Sequence, residues 1–293
     1  MLNYKKTILL TGASGFVGSY FVTKYTTKYD IKTFSFLKDD FKSLHVKDID
    51  VVFHLSALVH QMGGASDAEY ERVNVTQTLQ LAERAKESGA GQFIFMSTVK
   101  VYGEESDIAY HENSTCKPQD EYGKSKLRAE IELQKLADER FKVAIIRTPI
   151  VYGYGVKANI KSLINLVKKV PILPFGGIEN KRSMVYVGNL CHMVDEIIMQ
   201  QKSGIFLASD DKPLRTSRLC ELIAQSLGKK VYLLKLPFFE SFLQLVKPSF
   251  YKRLYGDLQV DNTQTKEMLN LQNPYTTEEG ILYMIKGEKI DKQ

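Results

Sequence analysis

One seven-residue turn limits the folds open to this chain. Residues 7–11, Thr-Ile-Leu-Leu-Thr, have the length and apolarity of a buried strand. Gly12-Ala13-Ser14-Gly15-Phe16-Val17-Gly18 follows at once and leads into a helix-length stretch over 16–28. Glycines spaced G-x-x-G-x-x-G let the backbone turn tightly and leave the first N–H groups of the helix facing outward. Those groups and the positive end of the helix dipole favour an anion such as a pyrophosphate. The spacing is not the commoner G-x-G-x-x-G, so the reading rests on context, with a strand before and a helix after. Gly12, Ser14, Gly15, Phe16, Val17 and Gly18 are therefore candidate dinucleotide contacts; the alternative is a glycine turn without a ligand.

The same rhythm continues. Apolar runs at 31–36, 51–55, 92–97 and 143–147 have strand length, and amphipathic stretches at 68–88 and 120–140 have helix length. Strand–helix–strand order predicts an α/β fold with a doubly wound parallel sheet covered on both faces. The connection from Phe36 to Val51 is too short for a full helix, strand and second helix, so a clipped excursion is expected there. After about Tyr152 the pattern changes. Helices are predicted at 159–169, 189–201, 216–228, 236–247 and 276–287, with short strands near 184–187, 205–208 and 231–234. A cofactor domain over 1–155 and a smaller mixed α/β substrate lobe over 156–293 are expected, with 183–203 packing back on the sheet. The 293 residues suit one covered sheet better than two independent domains.

The end of the second strand bears on which dinucleotide fits. A carboxylate there holds the ribose of NAD. Ser35 stands at that position, with Lys38 close by. A serine and a cation accommodate a 2′-phosphate, so NADP(H) is favoured over NAD(H); Lys38 reads equally as a solvated charge. Asp40 is a candidate partner for the adenine amino group.

Chemistry is suggested by Tyr122 and Lys126, one helical turn apart in a predicted helix. A free phenol has a pKa near ~10. A cation about 4 Å away in a partly screened site would stabilise its ionised form by roughly 4 kcal/mol, which makes it a usable proton donor and acceptor. Tyr-x-x-x-Lys alone is usually an ordinary helix surface. Here the strand at 92–97 also ends in Ser97-Thr98, at the carboxyl edge where a parallel sheet binds ligands. Tyr122, Lys126 and Thr98 are the candidate catalytic residues, with Ser97 beside the cofactor.

GASGFVG, HLSA at 54–57, Asn74 in RVNVTQT, STVKVYG, YGKSK and RTPIVYG, in that order, resemble the extended short-chain dehydrogenase/reductase superfamily. That resemblance implies a Rossmann-type sheet and an NAD(P)-dependent enzyme acting on a nucleotide sugar. It adds Leu55, Ser56, Ala57, Asn74 and Pro149 to the cofactor contacts. GVKANI, PFGGIENKRSMVYVGNL and LQVDNT are similar to the branch of 4-keto reductases that form UDP-N-acetylquinovosamine. By that likeness Asn159 and Arg182 hold the diphosphate of a UDP-sugar, and an arginine offers paired hydrogen bonds to phosphate. Arg253 and Asp257 fall near the ribose-binding pair, one residue off the epimerase spacing. Val99 and Lys100 join Thr98 on the substrate side, where Lys100 reads equally as an outward charge. The 4,6-dehydratases carry Asp-Glu at those two positions, which argues against that reaction. C4 reduction of a UDP-4-keto-6-deoxy-N-acetylhexosamine for surface polysaccharide is the first expectation, and a UDP-sugar 4-epimerase the alternative. Non-catalytic dinucleotide-sensing proteins of this fold commonly lose the tyrosine or lysine, and this chain keeps both. His60, Gln61 and Met62 are expected near the sugar. The helices at 68–88 and 120–140 suggest a homodimer face through Leu79, Leu81, Leu133 or Leu136.

The remaining features mostly exclude. The net charge of +6 comes from lysines scattered along the sequence, without a basic–aromatic repeat, so nucleic acid is not an expected partner. Cys116, Cys191 and Cys220 show no CxxC spacing and, with the five histidines, no zinc-ligand pattern, so no metal is expected. Sparse cysteines and the lack of a signal core or long apolar run predict a cytoplasmic protein without a membrane span.

Overall fold

The structure is a computed structural model that describes residues 5–59, 65–105 and 108–288. Its strands are β1 (Thr7–Thr11), β2 (Asp30–Phe34), β3 (Val51–His54), β4 (Gln92–Thr98), β5 (Lys142–Thr148), β6 (Ile150–Tyr152), β7 (Ile172–Leu173), β8 (Met184–Tyr186), β9 (Gly204–Leu207) and β10 (Tyr232–Leu233). Its helices are α1 (Phe16–Tyr25), α2 (Asp67–Tyr70), α3 (Gln77–Glu87), α4 (Glu121–Leu136), α5 (Ala158–Lys169), α6 (Val187–Gln200), α7 (Thr216–Ser226), α8 (Phe239–Val246), α9 (Pro248–Tyr255), α10 (Thr263–Leu269) and α11 (Thr277–Lys286). A π-helical stretch, Glu71–Thr76, joins α2 to α3.

Six strands form one parallel sheet in the order β2-β1-β3-β4-β5-β9. The chain leaves β1 toward β2 on one side and resumes at β3 on the other, so the order reverses between β1 and β3. That reversal opens a crevice at the carboxyl ends, where Thr11 pairs with His54. As the short 36–51 connection implied, only a 3₁₀ turn at Phe41–Ser43 fills it, which leaves β2 at the edge.

Successive strand residues point to opposite faces, and both faces are apolar. Ile8, Leu10, Phe53, Ile94 and Ile146 pack with Phe21 of α1 and Leu190, Val194 and Ile197 of α6. Leu9, Val52, Phe93, Phe95 and Ile145 pack with Leu81 of α3 and Ala129 and Leu133 of α4. Each fully buried Leu, Ile or Phe stabilises the fold by roughly 1.5–3 kcal/mol. Burial of Leu81 and Leu133 against the sheet removes both from any dimer face. Asp195 of α6 accepts hydrogen bonds from the Tyr29 hydroxyl at 2.5 Å and Lys28 at 2.7 Å, and so holds α6 against the end of α1.

Strand β9 departs from expectation. It falls within the 156–293 lobe expected from the sequence, but it is the sixth strand of the main sheet, paired with β5. The second lobe is built from two small parallel pairs, β6 with β8 and β7 with β10, and from α5, α7, α8, α9 and α11. Its core, including Ile160, Ile223 and Ile281, is continuous with the first face of the sheet. All three cysteines are free thiols. Among the described residues no helix is long and apolar enough to cross a membrane.

Candidate active site

The glycine turn has the shape an anion needs. Gly12 takes φ +72°, a conformation that favours glycine. A Cβ on Gly18 would lie 2.4 Å from the Gly12 carbonyl oxygen, so only glycine lets α1 start this close to β1. The Gly15 amide donates to Gly12 O at 2.9 Å, and no side chain caps α1. Ser14 and Gly15 are exposed, while Phe16 and Val17 are half-buried. The uncapped first turn therefore offers amide donors outward, and these residues fit the pyrophosphate of a dinucleotide.

Beside it lies a buried polar relay. The Thr11 hydroxyl accepts from the amides of Leu55 and Ser56, both at 3.2 Å, so its own proton goes to His54 Nδ1 at 2.7 Å. His54 Nε2–H then donates to Thr78 at 3.0 Å. Burial, with nearby Lys126, pushes the His54 pKa down to about 3, so the ring stays neutral. This relay fixes the Leu55-Ser56-Ala57 backbone next to the glycine turn. Asn74 lies on the π-helical stretch and is fully buried. It accepts from the Leu58 amide at 2.7 Å and donates to Leu58 O and the Ser125 hydroxyl, both at 3.0 Å. Those bonds occupy its amide, so Asn74 ties the loop after β3 to α4. His60, Gln61 and Met62 lie outside the described residues.

The tip of β2 corrects the expectation that no carboxylate stands there. The chain folds back after Ser35, and the Ser35 amide donates to the Asp39 carboxylate at 2.8 Å. Lys38 is exposed in the same turn. Asp40 accepts from the Lys42 amide at 3.0 Å and caps the 3₁₀ turn. Four residues of separation hid Asp39 from the sequence reading.

Thr98 ends β4, where it pairs with Thr148 of β5, and Pro149 follows, buried. Helix α4 starts hard against this edge. A Cβ on Gly123 would lie 2.9 Å from the Lys100 carbonyl oxygen, and Asp120, which caps α4, pairs with Lys100 at 2.5 Å. Tyr122, in the first turn of α4, is thereby carried toward the end of β4. Lys100 is spent on Asp120 and Glu104 and does not point freely at a substrate. Val99 is buried with Val101, Tyr102 and Leu258, so its side chain also faces inward.

The charge state differs from the expected one. The Tyr122 hydroxyl makes no hydrogen bond among the described residues, and its pKa is raised, first by burial, then by Asp120 and Tyr70. Lys126 is only 2% exposed. Its ammonium donates to the Met96 carbonyl at 2.8 Å and sits 4.2 Å above the Phe95 ring. Burial pushes its pKa down to about 7, against the pull of Glu130. In the protein alone Lys126 thus does not acidify Tyr122, because its charge is turned toward β4 and poorly solvated. The Ser97 hydroxyl donates to Glu130, whose other partner is Arg147 at 2.6 Å. This buried Glu130–Arg147 pair was missed, although Glu130 lies four residues beyond Lys126 on the same helix face.

A cavity of about 190 Å³ lies in the second lobe, and Ile150, two residues past the end of β5, forms part of its wall. Ile150, Met184, Phe250 and Leu254 give it apolar walls, and Asn159, Arg182 and Arg253 supply polar groups. Arg253 donates to the Asn159 amide oxygen at 3.3 Å, and Arg182 to Gly256 O at 2.9 Å. Three of the residues expected to meet the substrate are thus gathered. Asp257 is not; its carboxylate accepts from the Lys181 amide at 2.7 Å, away from the lining.

The sequence profile of the NAD dependent epimerase/dehydratase family matches residues 8–207. The chain is 39% identical to a UDP-glucose 4-epimerase of Vibrio cholerae, across 94% of this chain and 93% of that protein. It is 28% identical to an N-acetyl-alpha-D-glucosaminyl-diphospho-ditrans,octacis-undecaprenol 4-epimerase of Escherichia coli O157:H7, across 79% of this chain and 75% of that one. Its fold matches UDP-N-acetylglucosamine 4-epimerase from Methanobrevibacter ruminantium, solved with UDP-N-acetylmuramic acid, with a TM-score of 0.78 at 21% identity over 97% and 98% of the two chains. It also matches RMD from Pseudomonas aeruginosa, solved with NADPH, with a TM-score of 0.76 at 17% identity over 97% of each chain.

Proposed function

The chain belongs to the NAD dependent epimerase/dehydratase family, and from that premise we propose that it interconverts the C4 epimers of a UDP-hexose or UDP-N-acetylhexosamine with NAD kept bound. The observation that carries this reading is the start of α4 hard against the end of β4, where Gly123 packs on the Lys100 carbonyl and Lys126 reaches Met96 O, at the carboxyl edge of the sheet that also bears the glycine turn. The 39% identical 4-epimerase supports the choice of reaction. The Asp39 carboxylate at the tip of β2 supports NAD, because a second anion there repels a 2′-phosphate.

Each residue then has a role. The first turn of α1 holds the pyrophosphate of the cofactor, whose nicotinamide, when bound, supplies hydride exchange at C4 and a positive charge beside the phenol. Tyr122 takes the proton from the sugar O4 hydroxyl and later returns it. Thr98 donates a hydrogen bond to the same oxygen and fixes C4 in line. Lys126, now on Met96 O, would hold the nicotinamide ribose and add its charge to the site. Arg182 and Arg253 hold the UDP diphosphate while the sugar turns. The half-exposed Leu79 and the exposed Ile131, on the outer faces of α3 and α4, support a homodimer through that pair of helices.

A reductase of a UDP-4-keto-6-deoxy-N-acetylhexosamine is the second reading, favoured by exposed Lys38 next to Ser35 at the cofactor's ribose end. Incubation of the purified protein with UDP-glucose and UDP-N-acetylglucosamine, followed by NMR, separates the two. Galacto product without added cofactor supports the epimerase. No conversion, with stoichiometric NADPH consumption on a 4-keto sugar, would replace it with the reductase.

A further inference from the structure

The region 229–253 is unlike the rest of the surface. Phe238 is 85% exposed, Leu245 84% and Phe242 58%, and Val246 and Leu236 are exposed beside them. Positions 238, 242 and 245, on α8 and its N-cap, share one face, while Leu243 is buried and Phe239 packs partly against the core. The next helix, α9, begins at Pro248, so the two short helices form a hairpin with an apolar outer face. Phe238 also holds a left-handed backbone, φ 61°, which strains a bulky residue and is not repaid by burial of its ring.

The charge along that segment is mostly of one sign. From Lys229 to Arg253 there are six cationic side chains and one carboxylate, Glu240. Lys229 turns to the Lys168 carbonyl, Lys252 to Glu105 and Arg253 to Asn159 in the cavity, which leaves Lys230, Lys235 and Lys247 for a partner. Glu240 is engaged by the Tyr251 hydroxyl at 3.0 Å. With six cations and one carboxylate the segment carries a net +5 of the chain's +6. A second copy of the chain is a poor occupant, because a two-fold contact would bring the same lysines face to face. An apolar helix face ringed by cations suits a surface with an oily interior and anionic phosphates.

We propose that the α8–α9 hairpin is a peripheral docking surface for an anionic lipid bilayer. Phe238, Phe242 and Leu245 enter the headgroup boundary, and Lys230, Lys235 and Lys247 meet the lipid phosphates. The segment lies on the bilayer and does not span it, in keeping with its short helices. Phe250 and Leu254 of α9 line the Arg182–Arg253 cavity, so docking sets the mouth of that cavity near the lipid surface. The proposal is independent of which sugar reaction the site performs.

Flotation of the full chain with phosphatidylglycerol–phosphatidylcholine vesicles and with phosphatidylcholine vesicles tests it. Binding to the mixed vesicles is expected, and about tenfold weaker binding to the neutral ones. Phe242→Glu with Leu245→Glu is expected to lose at least about tenfold on mixed vesicles. Lys235→Gln with Lys247→Gln, which leaves the apolar face intact, is expected to weaken binding about tenfold and to remove most of its salt dependence. Unchanged circular dichroism and melting temperature show that the variants fold. Absent binding by the wild type, equal binding to neutral vesicles, or undiminished binding by the Glu variant would each overturn the proposal. So would a non-binding wild type whose oligomer is broken by the Glu substitutions, which would make the face a contact between copies.

Discussion

At the scale of single residues, the pair that marks the site is also its least comfortable feature. Lys126 is a buried amine whose pKa burial has driven down to about 7. A lysine with a depressed folded pKa weakens the fold wherever the unfolded chain would bind the proton more tightly. The penalty is absent above about pH 10.4, grows as pH falls, and is full below about pH 7, where both states are protonated. At 1.36 kcal/mol per unit it reaches on the order of 4 kcal/mol. Lys126→Met is thus expected to melt higher than the wild type at neutral pH without cofactor. The gap should widen from pH 10 to pH 7 and then level, as read by scanning calorimetry; a gap that narrows on acidification would refute the assignment. The same substitution should abolish turnover. Tyr122→Phe should lower kcat by about 10²–10⁴-fold while cofactor binding, followed by fluorescence titration, is retained. The spacing of the two residues was legible in the sequence. Their charge states were not, because that of Lys126 depends on burial against β4, where Phe95 and the Met96 carbonyl meet the ammonium, and that of Tyr122 on burial beside Asp120 and Tyr70.

At the scale of elements, α4 is joined to β5 through one buried ion pair. Glu130 and Arg147 are 1% and 4% exposed in their side chains and 2.6 Å apart. Arg147 also lies 4.7 Å over the Tyr102 ring, and Ser97 of β4 donates to Glu130. Removing one member leaves the other charge in the core, so Glu130→Leu should cost about 3–5 kcal/mol in urea denaturation. Glu130→Leu with Arg147→Met removes both charges and should recover most of that loss. If the double variant is as unstable as the single, the pair is doing more than neutralising itself. Legibility here followed burial. The strands β1, β3, β4 and β5 were readable because both faces are covered and each is a continuous apolar run. Strand β9 is just as buried at Phe206 and Leu207, but its partner β5 lies some sixty residues back and nothing local names it. Helix α9 was hidden because Pro248, which starts it, reads in sequence as the end of the helix before.

At the scale of the whole molecule, the glycine turn and the second lobe are held together by a single carboxylate. Glu288, just past α11, accepts from the hydroxyls of Tyr20 at 2.6 Å, Tyr275 at 2.7 Å and Tyr186 at 2.9 Å, and pairs with Lys24 at 3.2 Å. Tyr20 and Lys24 belong to α1, and Tyr186 ends β8, so the contact spans the helix that cradles the cofactor and the strand pair beside the substrate cavity. Burial works against the charge, but the three hydroxyls and Lys24 prevail and hold the Glu288 pKa below its usual range. A carboxylate with a lowered folded pKa contributes stability that is present above its unfolded value, about 4.3, and lost as pH falls through the folded one. Glu288→Ala leaves three tyrosine hydroxyls without their acceptor, at about 1–3 kcal/mol for groups that water does not reach. In a chain of this size that is a fall in melting temperature of about 2–10 °C. The fall should be constant from pH 5 to pH 8 and shrink as pH drops below about 4 toward the lowered folded value, where the wild type loses the same charge. A deficit that persists undiminished in acid would mean that packing of the tyrosines, and not the ionised carboxylate, joins α1 to the lobe.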